Sequence, residues 1–454
     1  MRDRLAWRAG LLVLALGLLT TRGLDTADAA VHLDLALALA LRGETTLSID
    51  PGALWVPSRP LAGGLFYQAP DGLRSASAPG LAALALPFSG ASARLEDEPP
   101  RFDALFREGD PRAVVRPLQT SPSVIAFALL GPLFAALSVV FLALAARALA
   151  LSRGAAIAAV SALAVGSPLL SYAGSQWTQL PVAAGLAFVL WRLAAREASA
   201  GARVLPIGIA CGLVVLVRPD QLPLVVVAGA VLYRIERGWR RSPSRSMARF
   251  LVPVAVALGL LSAWGLPESG GGWSPRTLPE GSSACSPARA RGSSSSRRSR
   301  SSLRSASRTK QRPIAALVAG WLLAALVVYG GWFDWAASLA YGPRFLVPLL
   351  PALALAFGAA YDALPARLRS LAWAAVAIGA AAALPGALVL HARIDDADRF
   401  FHPSVLAAWR ALLEGPAVGA LGVDCASTYV VAYPLLALLA AVAGLVLETR
   451  RPTG

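Results

Sequence analysis

The residues of this chain that could do acid–base or anion-binding chemistry are few, and they recur beside long apolar stretches. They are short groups of carboxylates, amides, arginines and aromatic residues: Asp25 and Asp28, Gln176 to Gln179, Arg218 and Asp220, and Trp332 to Arg344. A carboxylate can accept a proton, and an arginine presents a fixed fork of N–H donors that matches phosphate oxygens. Groups of this kind, gathered on one face of a membrane, are what a catalytic site at a membrane surface requires.

Common catalytic motifs are absent from the sequence. No GxxxxGK[ST], HExxH, CxxC or GxSxG pattern occurs, so phosphate-loop, zinc and serine-hydrolase mechanisms are not indicated. The three cysteines, Cys211, Cys285 and Cys425, show neither metal-ligand spacing nor a disulfide framework. The net charge of +16 comes from arginines that flank apolar runs, a distribution that argues against nucleic acid as a partner.

The elements that must position these groups are membrane spans. Of 454 residues, 56% are hydrophobic and 15% charged, and a mean hydropathy of +0.59 is too high for a solvated surface. We predict an all-α, multi-pass bundle of the cell inner (cytoplasmic) membrane that crosses the bilayer about a dozen times. After a first span, the apolar runs are 125–146, 155–170, 180–193, 204–217, 221–233, 251–264, 314–329, 345–361, 371–390 and 430–447.

The chain divides into membrane and non-membrane segments. We predict a first transmembrane helix (1–21), an outer loop with amphipathic helices (22–123), transmembrane helices (124–266), an aberrant Ser/Arg-rich segment (267–313), transmembrane helices (314–391), an outer loop (392–429), a last transmembrane helix (430–448) and a cytoplasmic tail (449–454). Arg2 to Arg8, an apolar run and the small residues Ala27 to Ala30 also fit a secretory signal peptide, but we favour an uncleaved span. The alternation over Val31 to Leu41 favours a helix lying on the outer surface.

Arginine placement orients the spans, because short cytoplasmic loops retain positive charge. Arginines in the first eight residues and in the loops around 147–153, 192–203 and 234–249 mark the inner side, whereas the short outer turns up to Trp264 hold only Arg218. This orientation places all the polar groups named above on the outer side. The two short runs on either side of Arg218 are read as two crossings, because Arg203 and Arg234 both flank them.

The orientation breaks down at residues 267–313. Trp264 lies outside in this count, yet the span that begins at Ile314 must start inside, and the intervening "GSSSSRRSRSSLRSASR" has no apolar run that could cross. One interpretation is a solvated basic linker. We favour a local reading-frame shift, because Lys310 is the only lysine of an Arg-, Ala- and Gly-rich chain, and CTC leucine codons read as Ser and Arg in a neighbouring frame. The nucleotide sequence tests this idea, which fails if the alternative frame encodes no apolar stretch of spanning length.

Five pieces of the chain, taken in order, resemble the landmarks of bacterial GT-C glycosyltransferases, in particular the dolichyl-phosphate-mannose-protein mannosyltransferase-like membrane proteins. They are "GLDTADAAVHLDLALALALRGETTLSID", "DGLRSASAPGLAALALP", "LAVGSPLLSYAGSQWTQLP", "GLVVLVRPD" and "GWFDWAASLAYGPRFLVPLLP". The last piece is the most specific, and only 267–313 matches nothing. The resemblance implies a GT-C bundle that transfers a hexosyl or pentosyl group, with inversion, from a polyprenyl-phosphate sugar to a glycan, lipid or protein acceptor at the outer membrane face.

The resemblance also implies roles for individual residues. Asp25 or Asp28 would take the acceptor proton, although acids also mark ordinary span edges. Arg344, and after it Arg218, would bind the donor phosphate as the bond breaks, although span-end arginines also snorkel to the interface. Further substrate contacts are expected from a set that could equally form an aromatic belt or a polar span end: Trp332, Asp334, Trp335, Tyr341 and Gln179. The superfamily allows a divalent metal, but no cluster of ligands in this sequence argues for one, and no other cofactor is expected.

The chain departs from the family pattern at two places. Arg74-Ser75-Ala76 stands where relatives carry Tyr-Ser-Lys before a Pro-Gly pair, so a cationic contact is missing or moved to Arg74. Gln179 follows Thr178 where relatives often have an acid, and a neutral amide cannot act as a base. Two rival hypotheses therefore stay open: a transporter or flippase of lipid-linked saccharides, and an inactive, frameshifted remnant. Sugar, acceptor and oligomeric state are not determined by the sequence.

Overall fold

The computed structural model describes residues 4–21, 27–48, 66–69, 72–75, 78–96, 121–174, 178–195, 200–235, 243–264, 302–330, 344–388 and 409. Several predictions lie outside these residues: Asp25, Trp332, Asp334, Trp335, Tyr341, nearly all of the loop 392–429, and the segments 430–448 and 449–454. Asp28 lies in the first turn of the helix Ala27–Leu37, and Arg344 is the first residue of the 3₁₀ segment Arg344–Leu349.

Helices make up nearly all of the described chain. They are α1 (Arg4–Leu19), α2 (Ala27–Leu37), α3 (Gly80–Ala85), α4 (Pro122–Ala128), α5 (Leu130–Ala148), α6 (Arg153–Ala164), α7 (Leu169–Ala173), α8 (Gln179–Ala194), α9 (Ala200–Val217), α10 (Leu222–Ile235), α11 (Pro243–Ala263), α12 (Ser302–Gly330), α13 (Leu350–Ala363) and α14 (Arg369–Leu388). Short 3₁₀ segments span Pro219–Gln221, Arg344–Leu349 and Ala366–Leu368, and π turns extend α2 (Ala38–Arg42) and α3 (Leu86–Gly90, followed by Ala91–Ala93).

The prediction of an all-α polytopic protein is confirmed. Five described stretches are long and apolar enough to cross a membrane: Pro122–Ala148, Ser244–Ala263, Arg312–Tyr329, Phe345–Ala363 and Ala366–Ala387. The chain is therefore a multi-pass membrane protein. One exception to the helical pattern lies between α2 and α3, where β1 (Phe66–Ala69) and β2 (Gly72–Ser75) form an antiparallel hairpin that the sequence pattern does not predict.

The predicted span 155–170 is not one continuous helix. Helix α6 ends at Ala164, and α7 begins at Leu169 after Pro168. Proline has no backbone N–H and restricts the residue before it to extended backbone, so a helix is interrupted at this point. Helices α6 and α8 are apolar but shorter than a full crossing.

Helices α1 and α5 pack in opposite directions. A Cβ built on Gly10 would lie 2.3 Å from Val140 Cγ2, and one built on Gly17 would lie 2.9 Å from Pro132 Cβ. As the residue number rises along α1, that of its neighbour falls along α5. The arginines at the start of α1 and Arg147 at the end of α5 therefore lie at the same end of the bundle, in agreement with the common inner side predicted for them.

Two glycines one helical turn apart bring α9 and α11 into backbone contact. A Cβ on Gly208 would lie 2.7 Å from the Arg249 carbonyl oxygen, and one on Gly212 would lie 2.6 Å from that of Pro253. Small residues spaced in this way let membrane helices approach closely. Because both residue numbers rise together, α9 and α11 run in the same direction.

Helices α10 and α12 run in opposite directions. Trp321 Nε1 donates to the Leu224 carbonyl oxygen at 2.8 Å, and the side chain of Tyr329, further along α12, contacts that of Gln221, which precedes α10. The turn at Pro219–Gln221 joins α9 to α10, and Gly229 of α10 packs on Phe250 near the start of α11. Both α11 and α12 therefore run opposite to α10, so the end of α11 and the start of α12 lie at opposite ends of the bundle. The arginine pattern likewise places the end of the span near Trp264 and the start of the span at Ile314 on opposite sides of the membrane.

The segment between α1 and α4 folds back onto the bundle. Residues 29–38 of α2 and its π turn are all buried and pack with Leu81, Ala82 and Ala85 of α3 and with Phe127 of α4. The expected amphipathic surface helix is thus covered around its whole circumference, and its polar residues His32 and Asp34 are covered too. Asp34 accepts hydrogen bonds from Ser48 N at 2.7 Å and Ser48 Oγ at 2.5 Å, so burial of its carboxylate is compensated.

Candidate functional site

The Arg218-Pro219 pair breaks the chain between α9 and α10. Arg218 N still donates to Val214 O at 2.9 Å, but Arg218 has extended backbone, with φ −146° and ψ 98°. The ring of Pro219 disfavours helical backbone at the preceding residue, which accounts for the end of α9 at Val217. Pro219 then opens a single 3₁₀ turn that leads into α10. The sequence therefore fixes a tight polar turn between two apolar helices.

Arg218 and Asp220 form a bidentate ion pair within this turn. Arg218 Nε donates to Asp220 Oδ1 at 3.0 Å, and Arg218 Nη2 donates to Asp220 Oδ2 at 2.6 Å. Their side chains are only 12% and 11% exposed. Tyr329 Oη donates to Asp220 Oδ2 at 2.6 Å, while Gln221 Nε2 lies 3.2 Å from the same oxygen and also donates to Tyr329 Oη. The carboxylate thus has donors from two separate elements.

The network keeps Asp220 ionised. Burial alone would raise the pKa of this carboxyl group, but the Arg218 charge and hydrogen bonds from Arg218, Tyr329 and Gln221 act in the opposite direction and hold it below its ordinary value. The charge of Arg218 is accordingly balanced within the protein. A second guanidinium group beside this ion pair would carry a positive charge that Asp220 does not neutralise.

Phe345 connects this turn to the Arg344–Leu349 segment. Its ring stacks on that of Tyr329, with centroids 4.8 Å apart and an interplanar angle of 16°, and the Arg218 guanidinium carbon lies 5.3 Å from the same ring centroid. Arg218, Asp220, Gln221, Tyr329 and Phe345 are called the Arg218 cluster below. Because Phe345 follows Arg344 directly, the cluster places the backbone of Arg344 beside Arg218.

The segment between α1 and α4 packs against the same turn. A Cβ on Gly80, the first residue of α3, would lie 2.5 Å from both Cα and N of Val217, the residue before Arg218. Helix α3 packs on α2, whose first turn contains Asp28. Trp264 Nε1 also donates to Ser75 O at 3.4 Å, which ties β2 to the end of α11. The helix that carries Asp28 and the turns that carry Arg218 and Arg344 therefore lie at one end of the bundle.

The remaining predicted site residue within the described chain is Gln179. It is the first residue of α8 and only 2% exposed, and its Oε1 accepts no hydrogen bond from the described residues. Helix α8 packs against the Arg344–Leu349 segment. Among the described residues, no group of three or more His, Cys, Asp or Glu side chains is placed to hold a metal ion.

Gln221, Tyr329 and Phe345 are functional-site residues that no motif in the sequence indicates. Each stands at the edge of an apolar run, where a polar or aromatic residue is normally read as an interfacial anchor. The one available signal was the acid of Arg218-Pro219-Asp220, since an arginine and an acid two residues apart across a turn can form a pair. Tyr329 is 109 residues from Asp220, and no local pattern predicts that contact.

The fold and this cluster define a class: a multi-pass helical membrane protein with a buried, charge-balanced turn at the end of the bundle on which α3 packs. No protein-family model and no curated protein matches the chain. Among solved structures, the chain is similar to ArnT from Cupriavidus metallidurans bound to undecaprenyl phosphate, with 17% identity, a TM-score of 0.47, and coverage of 93% of this chain and 77% of that one. ArnT in the apo state gives 18% identity, a TM-score of 0.45, and coverage of 93% and 76%.

Proposed function

We propose that this protein is an inverting membrane glycosyltransferase of GT-C type. It would move a sugar from a polyprenyl-phosphate carrier to a glycan, lipid or protein acceptor at the outer face of the cytoplasmic membrane. The observation that carries the proposal is that α2, with Asp28, packs through α3 and Gly80 onto the turn that holds Arg218, beside the start of the Arg344 segment. These are the places where the sequence resemblance implies the base and the phosphate ligands.

In the proposed reaction an acceptor hydroxyl oxygen attacks the anomeric carbon of the sugar. The bond from that carbon to the phosphate oxygen breaks, and the lipid phosphate leaves with the electron pair. Asp25 or Asp28 takes the proton of the acceptor hydroxyl, so the carboxylate becomes neutral as the phosphate gains charge. No oxidant or reductant is needed.

Arg344 is the proposed ligand of the leaving phosphate. An arginine placed where charge develops stabilises the transition state more than the ground state. The guanidinium of Arg218 is engaged by Asp220 through both Nε and Nη2, so its proposed part is to shape the field of the site beside Arg344. This division keeps the order in which the resemblance ranks the two arginines, with Arg344 first and Arg218 second.

Transfer of radiolabelled sugar from polyprenyl phosphate in membranes tests the proposal. We expect loss of the base, in Asp25→Asn or Asp28→Asn, to lower the rate roughly 100- to 10,000-fold, and Arg344→Ala to lower it roughly 100- to 1,000-fold. Arg367→Ala is the matched control, because Arg367 is exposed in the turn after α13, at the far end of the span that follows Arg344. Transfer at the wild-type rate in all three site variants would refute the assignment.

The same assay distinguishes a transferase from the main rival function, a transporter or flippase. A transporter or flippase of lipid-linked saccharides would move the label across the bilayer while it stays attached to the lipid phosphate. A transferase moves the label onto a new acceptor and releases polyprenyl phosphate. Chromatography of the labelled product therefore distinguishes the two functions without any mutant.

A further inference from the structure

Phe345 is the described side chain closest in sequence to Arg344, and it is firmly held. It is 5% exposed, stacks on Tyr329 and lies under the Arg218 guanidinium. A stacked aromatic pair and a cation over a ring each favour one relative geometry. The backbone at residue 345, and with it the point from which the Arg344 side chain departs, is thereby fixed to the Arg218 turn.

Tyr329 provides a rigid platform for that ring. Its Oη donates to Asp220 Oδ2 at 2.6 Å and accepts from Gln221 Nε2, so the ring is restrained at its far end. Two turns earlier in α12, buried Trp321 donates to the Leu224 carbonyl oxygen, which fixes α12 against α10. Neither Tyr329 nor Phe345 carries a charge, and both fill space that an aliphatic residue could fill equally well for burial alone.

We infer that Phe345 and Tyr329 are positioning residues that hold Arg344 in place for the donor phosphate. Asp220 supports this arrangement because it accepts the hydrogen bond of Tyr329 and neutralises the charge of Arg218. This inference rests on the proposed function. It adds that the donor site depends on an aromatic stack whose members do not themselves contact the substrate. A small displacement of a catalytic group lowers the reaction rate strongly, so loss of the stack should impair the reaction with the donor by more than the lost packing energy alone.

Three variants of the full-length protein in detergent separate positioning from packing. Phe345→Leu removes the ring but stays apolar and of similar volume, Phe345→Tyr keeps the ring, and Tyr329→Phe keeps the stack but loses the hydrogen bond to Asp220. We expect Phe345→Leu to raise the KM for the polyprenyl-phosphate sugar on the order of 10-fold with the acceptor KM unchanged. Phe345→Tyr restores the donor KM to within about 3-fold of wild type, and Tyr329→Phe lies between the two.

A second measurement does not need activity. Amide hydrogen exchange at residues 344–349 should accelerate in Phe345→Leu and remain near wild type in Phe345→Tyr, because the stack restrains that segment. If wild-type protein transfers no sugar, the proposed function fails, while the exchange data still test the anchoring. If transfer is normal and Phe345→Leu leaves both the donor KM and the exchange unchanged, the positioning role is refuted and the proposed function stands. An equal loss in Phe345→Leu and Phe345→Tyr would likewise overturn it.

Discussion

The buried pair of Arg218 and Asp220 permits a sharp energetic test by a double-mutant cycle. The single variants Arg218→Met and Asp220→Asn each leave one partner of a pair whose side chains are 12% and 11% exposed. An uncompensated buried charge costs about 3–5 kcal/mol. In the double variant no net charge remains, and the Asn oxygen still accepts from Tyr329. We therefore expect the double variant to be no less stable than either single variant, which gives a coupling free energy of about 3 kcal/mol.

Unfolding in mixed micelles by titration with SDS, followed by tryptophan fluorescence, measures these free energies. Arg42 and Glu44 supply a matched control, because their 3.2 Å ion pair has side chains 38% and 56% exposed. The cycle of Arg42→Met and Glu44→Gln should give a coupling below about 1 kcal/mol. Additive effects of Arg218→Met and Asp220→Asn, to within about 0.5 kcal/mol, would show that the two charges are not paired in the protein and would undermine the account of the cluster.

Two further predictions use the same unfolding assay. Gly80→Ala should lower the free energy of unfolding by about 1–3 kcal/mol, because its Cβ would lie 2.5 Å from the backbone of Val217. The control Gly259→Ala has nothing within 4 Å of its Cβ, so it should be neutral or stabilise the protein by up to about 1 kcal/mol. Equal effects of the two substitutions would contradict the close packing of α3 on α9. Because the pKa of Asp220 is lowered in the folded state, its ionised form stabilises the fold. This stabilisation is complete above the ordinary carboxyl pKa of about 3.9. It is lost as the pH falls through the lower pKa of the folded state. The gap in unfolding free energy between wild type and Asp220→Asn should accordingly be constant from about pH 5 to 7 and shrink below about pH 4, and a gap independent of pH down to about 3 would contradict the sign.

Much of the helical framework follows from the sequence because the physics is local. A long apolar run without charges predicts a span, and the predicted run 345–361 begins at the same residue as the observed stretch Phe345–Ala363. Two of the prolines likewise mark interruptions: Pro219 follows the end of α9, and Pro168 marks the break between α6 and α7 within the predicted span 155–170. The roles of Asp25 and Asp28 as bases and of Arg344 as phosphate ligand stay predictions.

The sequence alone predicts a multi-pass helical membrane protein, five spans that the structure describes and the polar turn at Arg218, because each depends on residues that are close together along the chain. Tertiary structure alone decided the partners of that turn. Asp220 meets Tyr329 across 109 residues, and Tyr329 in turn stacks on Phe345, although both aromatics resemble ordinary span-end anchors. The burial of α2 also depends on tertiary structure, because its alternating sequence pattern indicated a surface helix. The physical reason is the same in both cases: a side chain at the edge of an apolar run is defined by the element packed opposite it, and that element is distant in sequence.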